Sequence, residues 1–215
     1  MMSINIKMDT GTANTTVAKG RSIEWIVIHY TAGTSSAAGS AHNLAAWFRA
    51  VVCYNPDIAN RYSWGAGGVK YTKMSTSEGG RYYGKCRNSN CINIEICSNK
   101  KNRKSLSADD TDWYFTDAEL ALAAELVKHL MKTYGISADH VIMHHQVTGK
   151  LCPAMWTHSE AELEGWKKFQ QMFMPAVESN QMFYVQVGAF SSRENAEAYL
   201  KTVKKDYPGA FIKSM

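Results

Sequence analysis

Residues 23–30 read IEWIVIHY, a short run of β-branched and apolar side chains that ends on a histidine and a tyrosine. The next ten residues, TAGTSSAAGS, are small and turn-forming. This combination predicts a buried central strand that leaves the sheet just after residue 30. Alternate side chains of a strand share a face, so His29 shares a face with Val27 and lies opposite the isoleucines. The strand therefore places an imidazole at one edge of the predicted sheet.

Two later segments predict further strands. Along INIEIC (residues 92–97) polar and apolar residues alternate, so the isoleucines face one way and Asn93, Glu95 and Cys97 face the other. VIMH (residues 141–144) predicts another strand, which also ends in a histidine. Two predicted strands thus end on imidazoles, and a third carries a carboxylate.

Capping boxes mark where the long helices begin. Thr116 and Glu119 form one that predicts a helix over residues 117–134, and a glycine follows that can end it. Ser159 and Glu162 form a second one. The helix after this second box is predicted to face the core with three large side chains, Leu163, Trp166 and Phe173.

The pattern restarts after about residue 178. FYVQVGAF (183–190) alternates as a strand, Ser191 and Glu194 offer a capping box for a helix, and GAFIKSM (209–215) predicts a returning strand. We therefore expect two domains, a large one and a small C-terminal βαβ unit, over residues 1–178 and 179–215.

The bulk composition restricts the class of protein. The chain has 215 residues and a formal charge of +5, with apolar and charged fractions typical of a globular protein. The sequence contains no basic run interleaved with aromatic residues, so nucleic-acid binding is not predicted. It also contains no apolar stretch long enough to cross a membrane. The polar N-terminus does not resemble a signal peptide, so we expect reduced thiols at the five cysteines, at positions 53, 86, 91, 97 and 152.

The stretch HHQVTGKLCP (144–153) concentrates reactive side chains. A strand ending in His144, followed by a turn with Lys150 and Cys152, brings an imidazole and a thiolate together, and both are good zinc ligands. His29 can be the third ligand if the two strands are neighbours in one sheet. Three protein ligands and a water molecule are the arrangement of a catalytic zinc site.

The same residues also have plainer interpretations. A histidine at the end of a strand is often a surface residue, and Cys152 could be a small buried apolar group. His145 points to the other face of an extended segment, so we expect it to pack or to face solvent rather than to bind metal.

Together, WIVIHYTAG (25–33) and HHQVTGKLCP resemble the zinc-dependent N-acetylmuramoyl-L-alanine amidase family, the phage lysozyme-type amidases that are related to peptidoglycan recognition proteins. The resemblance covers about residues 20–175, and its motifs fall in the order of the family. Further stretches resemble the endolysins of clostridial phages and prophages, namely YNPDIANRYSWGAGG, INIEICSNKKN and DTDWYFTD.

The resemblance implies a fold, a reaction and roles for five residues. The fold would be α/β, with a central mixed β-sheet flanked by helices, and the reaction would be hydrolysis of the amide between N-acetylmuramic acid and L-alanine in peptidoglycan. His29, His144 and Cys152 match the family's zinc ligands, Lys150 its catalytic lysine, and Glu95 an acidic residue proposed to act on the zinc-bound water. Without the resemblance, Lys150 would be interpreted as an ordinary surface lysine and Glu95 as a solvated strand residue.

The chain also departs from the family pattern. AHNLAAWF (41–48) predicts a short helix, residues 54–91 predict long surface loops, and a segment that lines the cleft in relatives is short or missing between Phe48 and Asn55. This departure favours an alternative, a peptidoglycan-binding module that keeps the fold without catalysis. A structural zinc site is a third hypothesis, and it would need Cys97 or His145 as a fourth ligand.

The C-terminal segment resembles about half of a SPOR domain, a module that binds the glycan strands of peptidoglycan. Its signature is the YVQVGAF strand followed by a helix that contains Asn-Ala-Glu. Such a unit could bind the wall, pair with a second copy of the chain, or pack as an appendage. The lack of a signal peptide fits an endolysin made in the bacterial cytoplasm that acts on the wall after release, or a cytoplasmic amidase that recycles soluble muropeptides.

Overall fold

The computed structural model describes residues 15–33, 52–53, 59–105, 107–174 and 186–213. The strands are β1 (Thr15–Val17), β2 (Trp25–Tyr30), β3 (Val52–Cys53), β4 (Arg61–Ser63), β5 (Cys91–Ile96), β6 (Asn99–Lys100), β7 (Trp113–Tyr114) and β8 (Val141–Met143). The helices are α1 (Asp117–Tyr134), α2 (His144–Thr148), α3 (Leu163–Phe173) and α4 (Arg193–Val203). The predicted helix over residues 41–48 lies outside the described residues.

A four-stranded mixed sheet organises the larger part of the chain. Its strand order is β3-β5-β2-β8, in which β2 pairs in parallel with both β5 and β8 and β3 runs antiparallel at the edge. Two small antiparallel pairs, β1–β4 and β6–β7, accompany it. The predicted α/β class with a central mixed sheet flanked by helices is confirmed.

The IEWIVIHY run forms the centre of this sheet, as predicted. All six residues of β2 are buried, because apolar side chains cover both faces. One face belongs to a cluster with α1 and α3 that includes the three isoleucines of β5. The other face packs against α2 and irregular segments through Trp25 and Val27. His29 follows the same alternation, so it lies on the face without the long helices.

Helix α1 begins and ends as its sequence predicts. The Thr116 hydroxyl accepts a hydrogen bond from the backbone N–H of Glu119, and the Glu119 carboxylate accepts one from the N–H of Thr116. Gly135 ends the helix with a φ of 67°, in the left-handed region that favours glycine. Its buried face carries Ala123, Ala124, Leu126, Val127 and Leu130.

Helix α3 packs as predicted but begins differently. Leu163, Trp166 and Phe173 are buried, together with Phe169. The predicted capping box of Ser159 and Glu162 is wrong, because no side chain caps this helix. The Glu162 carboxylate instead accepts a hydrogen bond from the backbone N–H of His158.

The parallel strands are aligned so that their carboxyl ends meet at one edge. His29 is paired with Glu95 across β2 and β5, and Ile28 is paired with Met143 across β2 and β8. The residue after Met143 is His144, which therefore leaves the sheet beside His29. The two predicted strands are neighbours, as the zinc hypothesis requires.

The prediction of an extended strand through His144 is wrong by one residue, because the chain becomes helical there. Strand β8 ends at Met143, and His144 is the first residue of α2. The Gln146 side chain accepts a hydrogen bond from the backbone N–H of Met143, which favours this turn of helix. Gly149 ends it with a φ of 90°.

Contacts divide the chain into two units, residues 1–176 and 177–215. In the second unit, helix α4 is capped by Ser192, which accepts a hydrogen bond from the backbone N–H of Asn195, and not by the predicted Ser191. Residues 186–190 and 209–213 do not form the predicted strands, and the rest of both predicted strands lies outside the described residues. Strands need a hydrogen-bonded neighbour, and the described part of this unit supplies none.

No helix in the described ranges is long and apolar enough to cross a lipid bilayer.

The aromatic cluster under the sheet supports a stability prediction. Phe169 is 1% exposed, and its ring contacts those of Trp156, Trp166 and Phe173. Phe169→Ala is expected to lower the free energy of unfolding by about 3–5 kcal/mol, because it removes a buried ring and leaves a cavity. Urea unfolding followed by circular dichroism measures this change.

Met172→Ala on the same helix, at a 36% exposed position, is the control and should change the free energy of unfolding by less than about 0.5 kcal/mol. Equal effects of the two variants would contradict this assignment of the core.

Candidate active site

His29 is held in one orientation at the end of β2. Its side chain is buried, and Nε2 lies 3.0 Å from Oδ1 of Asn93. The Asn93 amide nitrogen donates to the carbonyl and hydroxyl oxygens of Ser63, so Oδ1 is the atom that faces the imidazole. His29 Nε2 therefore carries the proton and donates to Asn93, which leaves Nδ1 as a free lone pair.

Cys152 faces that lone pair. Its Sγ lies 3.6 Å from Nδ1 of His29, and the side chain is 3% exposed. Burial raises the pKa of the thiol to about 12, and the negative charge of Glu95 adds to the shift. The sulfur is therefore a protonated thiol until a cation replaces the proton.

His144 completes the group from the first position of α2. Its ring lies 4.7 Å from that of His29, between centroids. Both ring nitrogens are buried and have no hydrogen-bond partner. Burial lowers the pKa of this imidazole, and the charges of His29 and Lys150 lower it further, so the ring is neutral. An unpaired buried polar group costs about 1–3 kcal/mol, which a bound cation would offset.

The structure brings the three predicted ligands together. The donor atoms of His29, His144 and Cys152 all lie within 4.8 Å of one another, and all three side chains are buried. Within the described ranges, no other histidine, cysteine or acidic residue joins this group or forms a second one. Two neutral imidazoles and a thiol, whose donor atoms face one another, form a candidate metal site.

Glu95 and Lys150 flank the candidate metal site. Burial raises the pKa of the partly buried Glu95 carboxyl to about 7, and the positive charge of Lys150 opposes this shift. Lys150 is exposed, and its charge lowers the pKa values of His29, His144 and Cys152. The site therefore combines a carboxyl that can exchange a proton near neutral pH with a nearby ammonium group.

Sequence reasoning missed two residues that support the site. Asn93 orients His29, and its place on the same face as Glu95 was the available signal. His145 is fully buried, so packing was predicted correctly, but both its ring nitrogens also form hydrogen bonds, to Thr76 and to the Lys150 carbonyl. The bond to Thr76 spans 69 residues of sequence, so no local signal exists for it, whereas the bond to Lys150 spans five. They also remove His145 as the fourth ligand of a structural zinc site.

A groove of about 510 Å³ adjoins α2, and its lining includes none of the five side chains of the site. The backbone of Gly67 faces the His144 ring from its wall, and Thr148 enters it from the end of α2. The rest of the wall combines aromatic, cationic and amide side chains, including Tyr62, Trp64, Tyr83, Arg87 and Asn88. Trp64 is 61% exposed, so a flat apolar surface is available to a ligand.

Residues 19–155, which include every side chain of the candidate site, match the family model described as N-acetylmuramoyl-L-alanine amidase. The chain belongs to this family. Residues 179–214 match the SPOR domain. Both resemblances inferred from the sequence are confirmed, and the clostridial branch of the amidase family stays a prediction.

Curated relatives in the amidase family align with part of their length. A probable N-acetylmuramoyl-L-alanine amidase of Bacillus licheniformis is 27% identical over 128 residues, which are 60% of this chain and 31% of that protein. The N-acetylmuramoyl-L-alanine amidase CwlL of the same organism is 32% identical over 81 residues, 38% of this chain and 19% of that protein. The chain thus spans about a third and a fifth of these two relatives.

Solved structures similar to this chain include a mutant of PlyL and the catalytic domain of XlyA. The PlyL mutant is 17% identical with a TM-score of 0.46, and the match covers 72% of this chain and 87% of that one. The XlyA domain is 22% identical with a TM-score of 0.43, covering 74% and 91%.

Cobalt(II) can test the candidate metal site directly, because a thiolate bound to this ion gives a strong near-ultraviolet charge-transfer band. We expect the protein to bind close to one equivalent of cobalt(II) with such a band, and Cys152→Ser to lose the band. Cys86→Ser is the matched control, since Cys86 is also a buried free thiol but lies in another cluster. Spectrophotometric titration measures both properties. A band that survives in the Cys152 variant would contradict the assignment.

Proposed function

We propose that this chain is a zinc-dependent peptidoglycan hydrolase that cleaves the amide between N-acetylmuramic acid and the L-alanine of the stem peptide. The observation that carries the proposal is the buried group of His29, His144 and Cys152, whose donor atoms face one another. Family membership over residues 19–155 supports the choice of bond.

One distance between donor atoms fits zinc as the metal. Bonds of about 2.1 Å to an imidazole nitrogen and about 2.3 Å to a thiolate, at tetrahedral angles, separate the two donors by about 3.6 Å. His29 Nδ1 and Cys152 Sγ lie 3.6 Å apart. Zinc accepts nitrogen and sulfur ligands together, whereas magnesium and calcium prefer oxygen.

The number of ligands supports a catalytic role for the metal. A structural zinc site is closed by four protein ligands, whereas a catalytic one keeps a position open for water or substrate. In the described ranges the group has three members, and the His145 nitrogens are occupied by other partners. Bound zinc would supply an activated water and polarise the scissile carbonyl.

The chain's own residues supply the remaining parts of amide hydrolysis. Glu95, with a pKa raised to about 7, can take the proton of the attacking water and deliver it to the departing L-alanine amine. The Lys150 ammonium can stabilise the negative charge that develops on the carbonyl oxygen. The desolvated position of Glu95 favours this proton transfer, because a carboxylate in water would hold its proton too weakly.

Peptidoglycan is the substrate that the remaining features favour. The exposed Trp64 ring offers a surface for a sugar or peptide face, and Arg87 can pair with a carboxylate of the stem peptide. The match of residues 179–214 to the SPOR domain supports a second contact with the wall, as does the net charge of +5. We place the action of the protein at the cell wall, as in an endolysin.

Analysis of wall fragments tests the proposal. Purified peptidoglycan incubated with the protein should acquire new L-alanine amino termini, detected by dansylation or mass spectrometry. A zinc chelator should abolish them and added zinc should restore them, since the nucleophile depends on the metal. His144→Ala should release none, because it removes a ligand.

His140→Ala is the matched control for this experiment. His140 is also an imidazole at a strand terminus, but it stacks on Trp25 at the far end of β2, with ring centroids 4.0 Å apart. The His140→Ala variant should cleave peptidoglycan like the unmodified protein. Wall binding without new termini would contradict the proposal and favour a binding module without catalysis.

A further inference from the structure

One segment of chain is fastened along α2 and the loop after it. We call residues 71–82 the brace. Its backbone N–H groups donate to α2 at three points: Tyr71 to the Thr148 carbonyl at 2.8 Å, Gly80 to His145 at 2.9 Å, and Tyr82 to Gln146 at 2.8 Å. These three bonds hold the short helix from one side.

Packing between the brace and α2 is too close for the two to slide. A Cβ at Gly149 would lie 2.2 Å from the Met74 sulfur, and one at Gly79 would lie 3.1 Å from Nε2 of His145. The Gln146 amide also donates to the Glu78 carboxylate at 2.7 Å. The brace therefore packs closely beside the loop that carries Lys150 and Cys152 and restricts its movement.

His145 connects the brace to that loop. Its Nδ1 lies 2.9 Å from the Lys150 carbonyl oxygen, and its Nε2 lies 2.8 Å from the Thr76 hydroxyl. A carbonyl oxygen can only accept a hydrogen bond, so Nδ1 carries the proton and donates to the Lys150 carbonyl. Nε2 then accepts a hydrogen bond from the Thr76 hydroxyl. The backbone N–H of His145 also donates to the Cys152 carbonyl at 2.9 Å. One residue thus binds the loop at both Lys150 and Cys152.

We propose that His145 is a positioning residue: through its Nδ1–H bond to the Lys150 carbonyl it fixes the conformation of residues 150–152, and so directs the Lys150 ammonium and the Cys152 sulfur toward the metal. The inference rests on the proposed function and deepens it. His145 touches neither substrate nor metal. Without the bond the loop gains conformations, and ordering it again costs free energy at each turnover and at metal binding.

Two substitutions separate the bond to Lys150 from the bond to Thr76. In His145→Asn the side-chain amide occupies the position of Nδ1 and can still donate to Lys150. In His145→Gln the amide reaches the position of Nε2 and Thr76 but leaves the Lys150 carbonyl without its donor. His145→Phe fills the space and forms neither bond.

The experiment measures kcat and KM for wall cleavage, and zinc affinity of the metal-free protein by competition with a chromophoric chelator. We expect His145→Gln and His145→Phe to lose about 10–100-fold in kcat and in zinc affinity, the range found when hydrogen-bond partners behind metal ligands are removed. KM should change much less, because the groove is untouched. His145→Asn should keep both values within a few-fold of the unmodified protein.

His140→Phe is the matched control, since Nδ1 of His140 also bonds to a backbone carbonyl, that of Glu24, at 3.0 Å. It should change neither kcat nor zinc affinity. If His145→Phe fails to fold, the comparison of the Asn and Gln variants decides, because both keep a polar side chain in the same place. Equal kcat and equal zinc affinity in those two variants would overturn the inference.

Failure of the proposed function gives a different result. If the unmodified protein released no L-alanine termini, the proposed reaction would fail, while the difference in zinc affinity between the Asn and Gln variants would still support positioning by His145.

Discussion

The in-register parallel pairing of β2 with β5 and β8 is the constraint on which the site depends. It places His29 beside Glu95 and lets the chain turn out of the sheet at His144 next to His29. A slip of one residue would turn His29 toward the helices, and a slip of two would move it by about 6.6 Å along the strand. The isoleucines of β2 and β5 prevent the slip of one residue, because they fit only one face. Core packing and the geometry of the candidate site thus depend on the same alternation.

Burial sets the protonation states of the residues in the candidate site. Burial lowers the pKa of His29 to about 4, so the imidazole stays neutral, and it keeps Cys152 protonated until a metal arrives. His144 lies in the same environment with both nitrogens unpaired. These features destabilise the metal-free fold, so the free energy of metal binding would also stabilise the protein. Lys150, by contrast, is exposed.

Local patterns predicted much of the fold and failed where distant contacts decide. The alternation in β2 and β5 and the capping box of α1 are properties of neighbouring residues, and they predicted the faces on which His29 and Glu95 lie and the helix over 117–134. The turn at His144 was missed because α2 is held by the brace, far away in sequence. The strands expected beside α4 fail for a related reason, since alternation alone supplies no partner strand. The group of His29, His144 and Cys152 was proposed from the residues and strengthened by resemblance to a family, and its role as a ligand set stays a prediction.

Zinc K-edge X-ray absorption of the zinc-loaded protein tests the central claim most directly, because it reports the atoms bound to the metal. The account predicts one sulfur at about 2.3 Å and imidazole nitrogens at about 2.0–2.1 Å, with a further light atom in the open position. The sulfur should be absent from the spectrum of Cys152→Ser. A shell without sulfur in the unmodified protein, or one with several sulfurs, would contradict a site built by His29, His144 and Cys152.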